Sequence, residues 1–135
     1  MKPAVLDASV AVKWFLEEPG ADVADRVLDD IYSGAREHLV PELFFFEVLA
    51  VCLRRHPKPR DFAATDMPYL LALPITRAQM TAALTRGAAE LVEAGLSGCD
   101  AAYAALAREV DGEWLTFDEK AAGLLQNPAW VRVLA

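Results

Sequence analysis

The sequence predicts a single α/β domain, residues 1–135, built around a parallel sheet. Short apolar β runs alternate with helical runs along the chain. No internal repeat, low-complexity stretch or Pro/Gly-rich linker divides it. The chain is 55% hydrophobic and 24% charged over 135 residues, enough for one buried core and too apolar for a disordered chain.

The first strand spans Ala4 to Leu6 and ends at Asp7. A helix is expected from Ser9 to Leu16, stopping near Pro19-Gly20. The next runs from Ala21 to Ser33, with Val23, Val27, Leu28 and Ile31 at helical spacing. His38 to Val40 is a short strand leading to Pro41, which suits the first turn of a helix reaching Arg55. That helix is apolar nearly all round. Pro57 to Pro59 breaks the chain, and a further helix covers Arg60 to Leu71 despite Pro68. Leu73 to Thr76 is a strand candidate, followed by a helix from Arg77 to Ala94 that stops at Gly95. Ser97 and Asp100 open a helix reaching Val110. Trp114 to Phe117 is a strand ending at Asp118, Glu119 to Leu125 is helical, and Trp130 to Leu134 forms the last strand.

The opening residues lack a long apolar region before a small-residue cleavage site, so they do not read as a signal peptide. The most apolar stretch, Leu43 to Leu53, is broken by Glu47 and too short to span a bilayer. The expectation is a soluble, cytoplasmic protein without a membrane partner. Cys52 and Cys99 are far apart and form no Cys-x-x-Cys pair, so they read as two small buried side chains. His38 and His56 are isolated and lack a second ligand at helical spacing.

A net charge of −7 counts against broad nucleic-acid binding. Yet Arg54, Arg55, Lys58 and Arg60 place four of the thirteen cations within seven residues, with no acid among them. Such a strip can hold a polyanion locally, although cations also suit a helix C-terminus.

Four acids stand out. Asp7 and Asp118 each close an apolar strand and precede a helical stretch. Ligands collect outside the carboxyl ends of strands in open parallel sheets, although either residue could simply cap a helix. Glu47 is harder to explain as a surface group. Leu43, Phe46, Ala50 and Val51 surround it on its own helix face, where an unpartnered carboxylate costs several kcal/mol. Glu42 lies in the first helical turn and reads as structural. Asp100 starts a helix whose small residues allow close packing, which brings it toward the same crevice. Four converging carboxylates need protons or cations to offset their charge. Oxygen-only ligands favour Mg²⁺ or Mn²⁺, and such an ion suits phosphate chemistry. No Gly-x-Ser-x-Gly, P-loop or Gly-x-Gly-x-x-Gly offers a rival.

Val5-Leu6-Asp7-Ala8-Ser9-Val10-Ala11-Val12-Lys13-Trp14 resembles the opening of PIN domains, especially VapC-type toxins of toxin–antitoxin pairs. Pro41 to Glu47 resembles their second motif, Gly98 to Ala107 the third and Leu115 to Asp118 the fourth. The resemblance covers essentially the whole chain. It implies a three-layer α/β/α fold with five parallel strands. It also implies an Mg²⁺- or Mn²⁺-dependent endoribonuclease in which a metal-activated water attacks the RNA phosphodiester. Asp7, Glu47, Asp100 and Asp118 match the family's metal-binding acids, and Ser9 and Thr116 match hydroxyls beside the site. The implied partners are RNA, a small antitoxin and a second copy of the chain. Ala50 stands where relatives often carry Asn, and Cys99 where they often carry Tyr.

Two alternatives remain at this point. A silent nuclease fold acting as a protein-binding module suits the Phe44-Phe45-Phe46 run, which could equally be core. A receiver-like signalling domain also binds Mg²⁺ at strand ends. It needs an acidic pair after the first strand and an Asp ending a central strand in mid-chain, and both are missing.

Overall fold

A computed structural model describes all 135 residues. Five strands form one sheet: β1 (Ala4–Leu6), β2 (His38–Pro41), β3 (Thr76–Ala78), β4 (Glu113–Thr116) and β5 (Val131–Val133). They lie in the order β3-β2-β1-β4-β5, and every pairing is parallel. The fold is therefore the expected α/β one. Its order is not the flavodoxin-like 2-1-3-4-5 of receiver domains.

The chain winds outward from β1 through β2 to β3, then crosses back to place β4 on the other side of β1. Right-handed crossovers carry the intervening helices to opposite faces of the sheet. The direction reverses between β1 and β4, so a crevice opens at their carboxyl ends. β1 and the middle of β4 are buried, as central strands must be.

The first helix, α1 (Ala8–Ala11), continues as a 3₁₀ turn over Val12–Trp14. It is followed by α2 (Ala21–Ser33) and α3 (Leu43–Arg55). Pro41 belongs to β2, paired with Ala78, rather than to the helix after it. Its missing N–H does no harm at the last position of a strand. The expected helix over Arg60 to Leu71 is α4 (Pro59–Asp61), a π turn (Phe62–Asp66) and α5 (Met67–Ala72). Pro68 cannot donate to the preceding turn and its ring crowds the carbonyl four residues back; the wider turn relieves both.

Further along, β3 starts at Thr76, so the strand expected over Leu73 to Thr76 is displaced. Arg77 lies in that strand, and α6 (Ala82–Glu93) starts later than expected because the Thr81 hydroxyl caps it by accepting from Leu84 N–H. Ser97 caps α7 (Gly98–Glu109) by accepting from Asp100 N–H. Next comes α8 (Glu119–Leu124).

Trp114, Tyr103, Phe44 and Phe62 are the largest fully buried side chains. Phe44 and Phe45 are core, but Phe46 is 66% exposed, so α3 is not apolar only toward the interior. Cys52 is buried, whereas Cys99 is exposed, contrary to expectation. Helix α7 lies across β1, β2 and β4, with α6 against it. Its buried Ala101, Ala104, Ala105 and Ala107 allow that close approach.

Between α7 and β4, Gly112 N–H donates to Ala107 O, and Glu113 N–H donates to Pro3 O. A Cβ on Gly112 would lie 2.5 Å from Pro3 O, a backbone atom that cannot yield without moving β1. Gly112→Ala should therefore destabilise the fold by about 1–3 kcal/mol, read as a lower urea midpoint at unchanged slope. An unchanged midpoint would refute that close approach.

Candidate active site

The topological crevice collects the carboxylates. Asp7 follows β1, and its backbone N–H donates to Leu115 O at the end of β4. Its side chain caps α1 by accepting from Ser9 N–H at 2.9 Å, and the Ser9 hydroxyl donates to the same oxygen. That hydroxyl also accepts from Phe117 N–H at 3.1 Å. Ser9 thus ties the end of β1 to the end of β4. Thr116 accepts from Asp118 N–H at 3.0 Å, and Asp118 caps α8 by accepting from Ala121 N–H at 3.0 Å. So Asp7 and Asp118 both cap helices, and those contacts fix their position at the crevice.

Asp7 is 5% exposed, and burial raises its pKa from 3.8 to about 6. Hydrogen bonds from Ser9 and Thr116 oppose the rise, and the charge of Asp100 adds to it. Asp100, half-buried in the first turn of α7, is raised by burial and then by the charge of Asp118. Asp7, Asp100 and Asp118 therefore share one field across three chain segments.

Glu47 is half-buried on α3 and accepts from the Tyr103 hydroxyl at 2.5 Å. Half-exposed and bonded to that phenol, it is not the unpartnered buried carboxylate that its apolar flank suggested. Burial, and after it the bond to Glu47, raises the Tyr103 pKa, and the charge of Asp7 also reaches its ring. No three of the acids surround a common point closely enough to hold an ion in this conformation.

The protein's ion pairs use Glu18, Glu42, Asp66, Glu90, Asp111 and Glu113; none involves Asp7, Glu47, Asp100 or Asp118. These four leave oxygen donors and no cation to offset them, a set that fits Mg²⁺ or Mn²⁺.

A groove of about 360 Å³ runs from Ser9 and Glu47 between α1 and α3, lined further on by Lys13, Arg54 and Arg55. Lys58 and Arg60 are exposed outside that lining. Lys13 and Arg55 both pair with Glu18, at 3.0 and 2.8 Å, while Arg54 forms no ion pair. Lys13 also lies 4.5 Å from the centre of the Phe117 ring. Glu42 is structural, as expected, but its partner is Arg77 on β3 rather than a helix dipole.

Two contributors had no assigned role in the sequence. Lys13 and Tyr103 both fall inside recognisable motifs, and the one signal for Tyr103 is that it is the single polar side chain in the alanine-rich run after Asp100.

The PIN domain family profile matches residues 4–124, and the chain belongs to that family. No curated protein matches the sequence significantly. Among solved structures, the chain is similar to the VapBC2 complex of Rickettsia felis bound to a promoter DNA fragment, with 14% identity and a TM-score of 0.72 over 98% of this chain and 99% of that one. It is similar to a toxin–antitoxin complex from Klebsiella pneumoniae, with 16% identity and a TM-score of 0.69 over 98% of each chain. Mycobacterium tuberculosis VapC20, described as a sarcin–ricin loop cleaving toxin, aligns with 18% identity and a TM-score of 0.68 over 89% of this chain and 93% of that one.

The Asp7 shift has a stability consequence with a definite sign. Its folded pKa lies above its unfolded one, so its favourable contribution is complete below about 3.8 and is lost as pH rises through about 6. In metal-free protein this amounts to about 3 kcal/mol at most. Asp7→Asn keeps a capping side chain and should flatten that decline, being more stable than wild type at pH 7 in chelator. Parallel urea-midpoint profiles from pH 4 to 7 would contradict the assignment.

Proposed function

We propose that the protein is a divalent-metal-dependent endoribonuclease, the toxin of a type II toxin–antitoxin pair. The observation that carries this reading is the set of four cation-free acids at the switch point of a PIN-family sheet. Asp7, Asp100 and Asp118, with Glu47 at the rim, would hold Mg²⁺ or Mn²⁺. When bound, the ion supplies Lewis-acid polarisation of the scissile phosphate and lowers the pKa of water.

The chain's own residues do the rest. Ser9 and Thr116 orient Asp7 through their hydroxyls and lock the β1 and β4 ends together. Arg54, without an acidic partner, is free to take a phosphate of the RNA strand along the groove. Lys13 and Arg55 take neighbouring phosphates by exchanging Glu18 for them. An acidic chain with these cations confined to one groove binds RNA at the site rather than over its surface.

The resemblance to toxin–antitoxin complexes supports a small antitoxin as partner, its peptide covering the groove and an Arg of its own reaching the acids. A second copy of the chain completes the assembly. No helix is long and apolar enough to cross a membrane. A second reading, a catalytically silent PIN fold working as a protein-binding module, draws on the exposed Phe46 and Leu53 of α3, at 66% and 43% exposure.

RNA cleavage with Mg²⁺ or Mn²⁺ tests the two readings. Wild type should cleave, and Asp7→Asn and Asp100→Asn should each lose at least a hundredfold while remaining folded. Equal activity in all three would overturn the nuclease reading, and metal binding without turnover would favour the silent module. Arg54→Glu with Arg55→Glu should weaken RNA binding and flatten the slope of log K against log salt concentration by roughly 0.7 per lost phosphate contact, leaving Mn²⁺ affinity unchanged. Unaltered RNA affinity would remove the basic strip from the mechanism.

A further inference from the structure

We infer that Tyr103 is the positioning residue for Glu47, a phenol that holds one carboxylate oxygen and leaves the other without a partner in the protein. This rests on the metal-site reading above. Glu47 Oε1 accepts from the Tyr103 hydroxyl at 2.5 Å, and Glu47 has no other hydrogen bond and no ion pair within the protein. Ala50, one turn further along α3, is exposed and supplies no polar group. A half-buried Glu on an otherwise apolar helix face would sample several rotamers without that bond.

The anchor itself cannot wander. Tyr103 is 1% exposed and sits in α7 among Ala101, Ala104 and Ala105, all buried. It lies one turn after Asp100, so the same helix that presents Asp100 also restrains Glu47. Its hydroxyl is also close to the Ala8 backbone, next to Asp7. The phenol therefore meets three of the segments that carry the acids: the β1–α1 junction, α3 and α7. Groups that orient metal ligands from behind commonly contribute 10- to 100-fold to metal affinity or activity. Tyr103 stands in that relation to Glu47.

A double-mutant cycle in Mn²⁺ binding tests this, with Tyr103→Phe, Glu47→Gln and both together, titrated calorimetrically on folded protein. Phe keeps the ring in the core, and urea midpoints of the metal-free variants check that it does. Tyr103→Phe should weaken Mn²⁺ about tenfold. The double variant should bind no worse than Glu47→Gln alone, since Tyr103 acts only through Glu47. In RNA cleavage, kcat should fall with KM unchanged.

Wild-type affinity in Tyr103→Phe would overturn the inference. So would an equal loss when the change is made in the Glu47→Gln background, because the phenol would then act through the fold. Absence of Mn²⁺ binding by the wild type would instead overturn the metal-site reading, and the tether with it.

Discussion

A carboxylate sits almost wholly out of water at the end of the central strand, and no Lys or Arg approaches it. Asp7 is tolerated there because Ser9 donates both its hydroxyl and its N–H to it, and because α1 begins at its side chain. Ionised, it still lacks compensation, and the nearby Asp100 makes matters worse. Such a site is stable in one of two ways: the carboxyl keeps its proton, or a cation arrives. The strand order, the two capped helices and the Ser9 bridge to Phe117 N–H all serve to keep Asp7 at that point.

Charge is arranged differently elsewhere. Glu18 bridges Lys13 and Arg55, Glu113 meets Arg36 and Arg132, and Glu42 meets Arg77, which also stacks 4.4 Å from Phe45. These pairs join separate segments at low energetic value, since most are partly solvated. Asp7, Glu47, Asp100 and Asp118 take no part in these pairs. Lys13, Arg54 and Arg55 line the α1–α3 groove together with Ser9 and Glu47.

The departures from the family pattern also acquire a physical context. Ala50 is exposed on α3, so the bracing of Glu47 falls to a side chain on another helix. Cys99 is exposed next to Asp100, with burial first and the charges of Glu47 and Asp100 after it raising the pKa of its thiol. That charge environment suppresses the thiolate and keeps Cys99 a poor nucleophile.

Much of this was legible in the residues themselves. The alternation of apolar runs determined an α/β fold, and the extents of β1 and α2 follow directly from local pattern, because apolar periodicity and turn residues act over a few positions. The four acids stood out because a carboxylate inside or at the end of an apolar run demands a reason. Other features depended on contacts distant in sequence. Whether Pro41 ends a strand or starts a helix is decided by its pairing with Ala78, and whether Arg77 lies in a helix or a strand by β3 docking on β2. The Tyr103 bond to Glu47 spans fifty-six positions and the Ser9 bond to Phe117 one hundred and eight. Local propensity specifies elements; only tertiary packing brings those hydroxyls to those carboxylates, because that proximity exists nowhere along the chain before it folds.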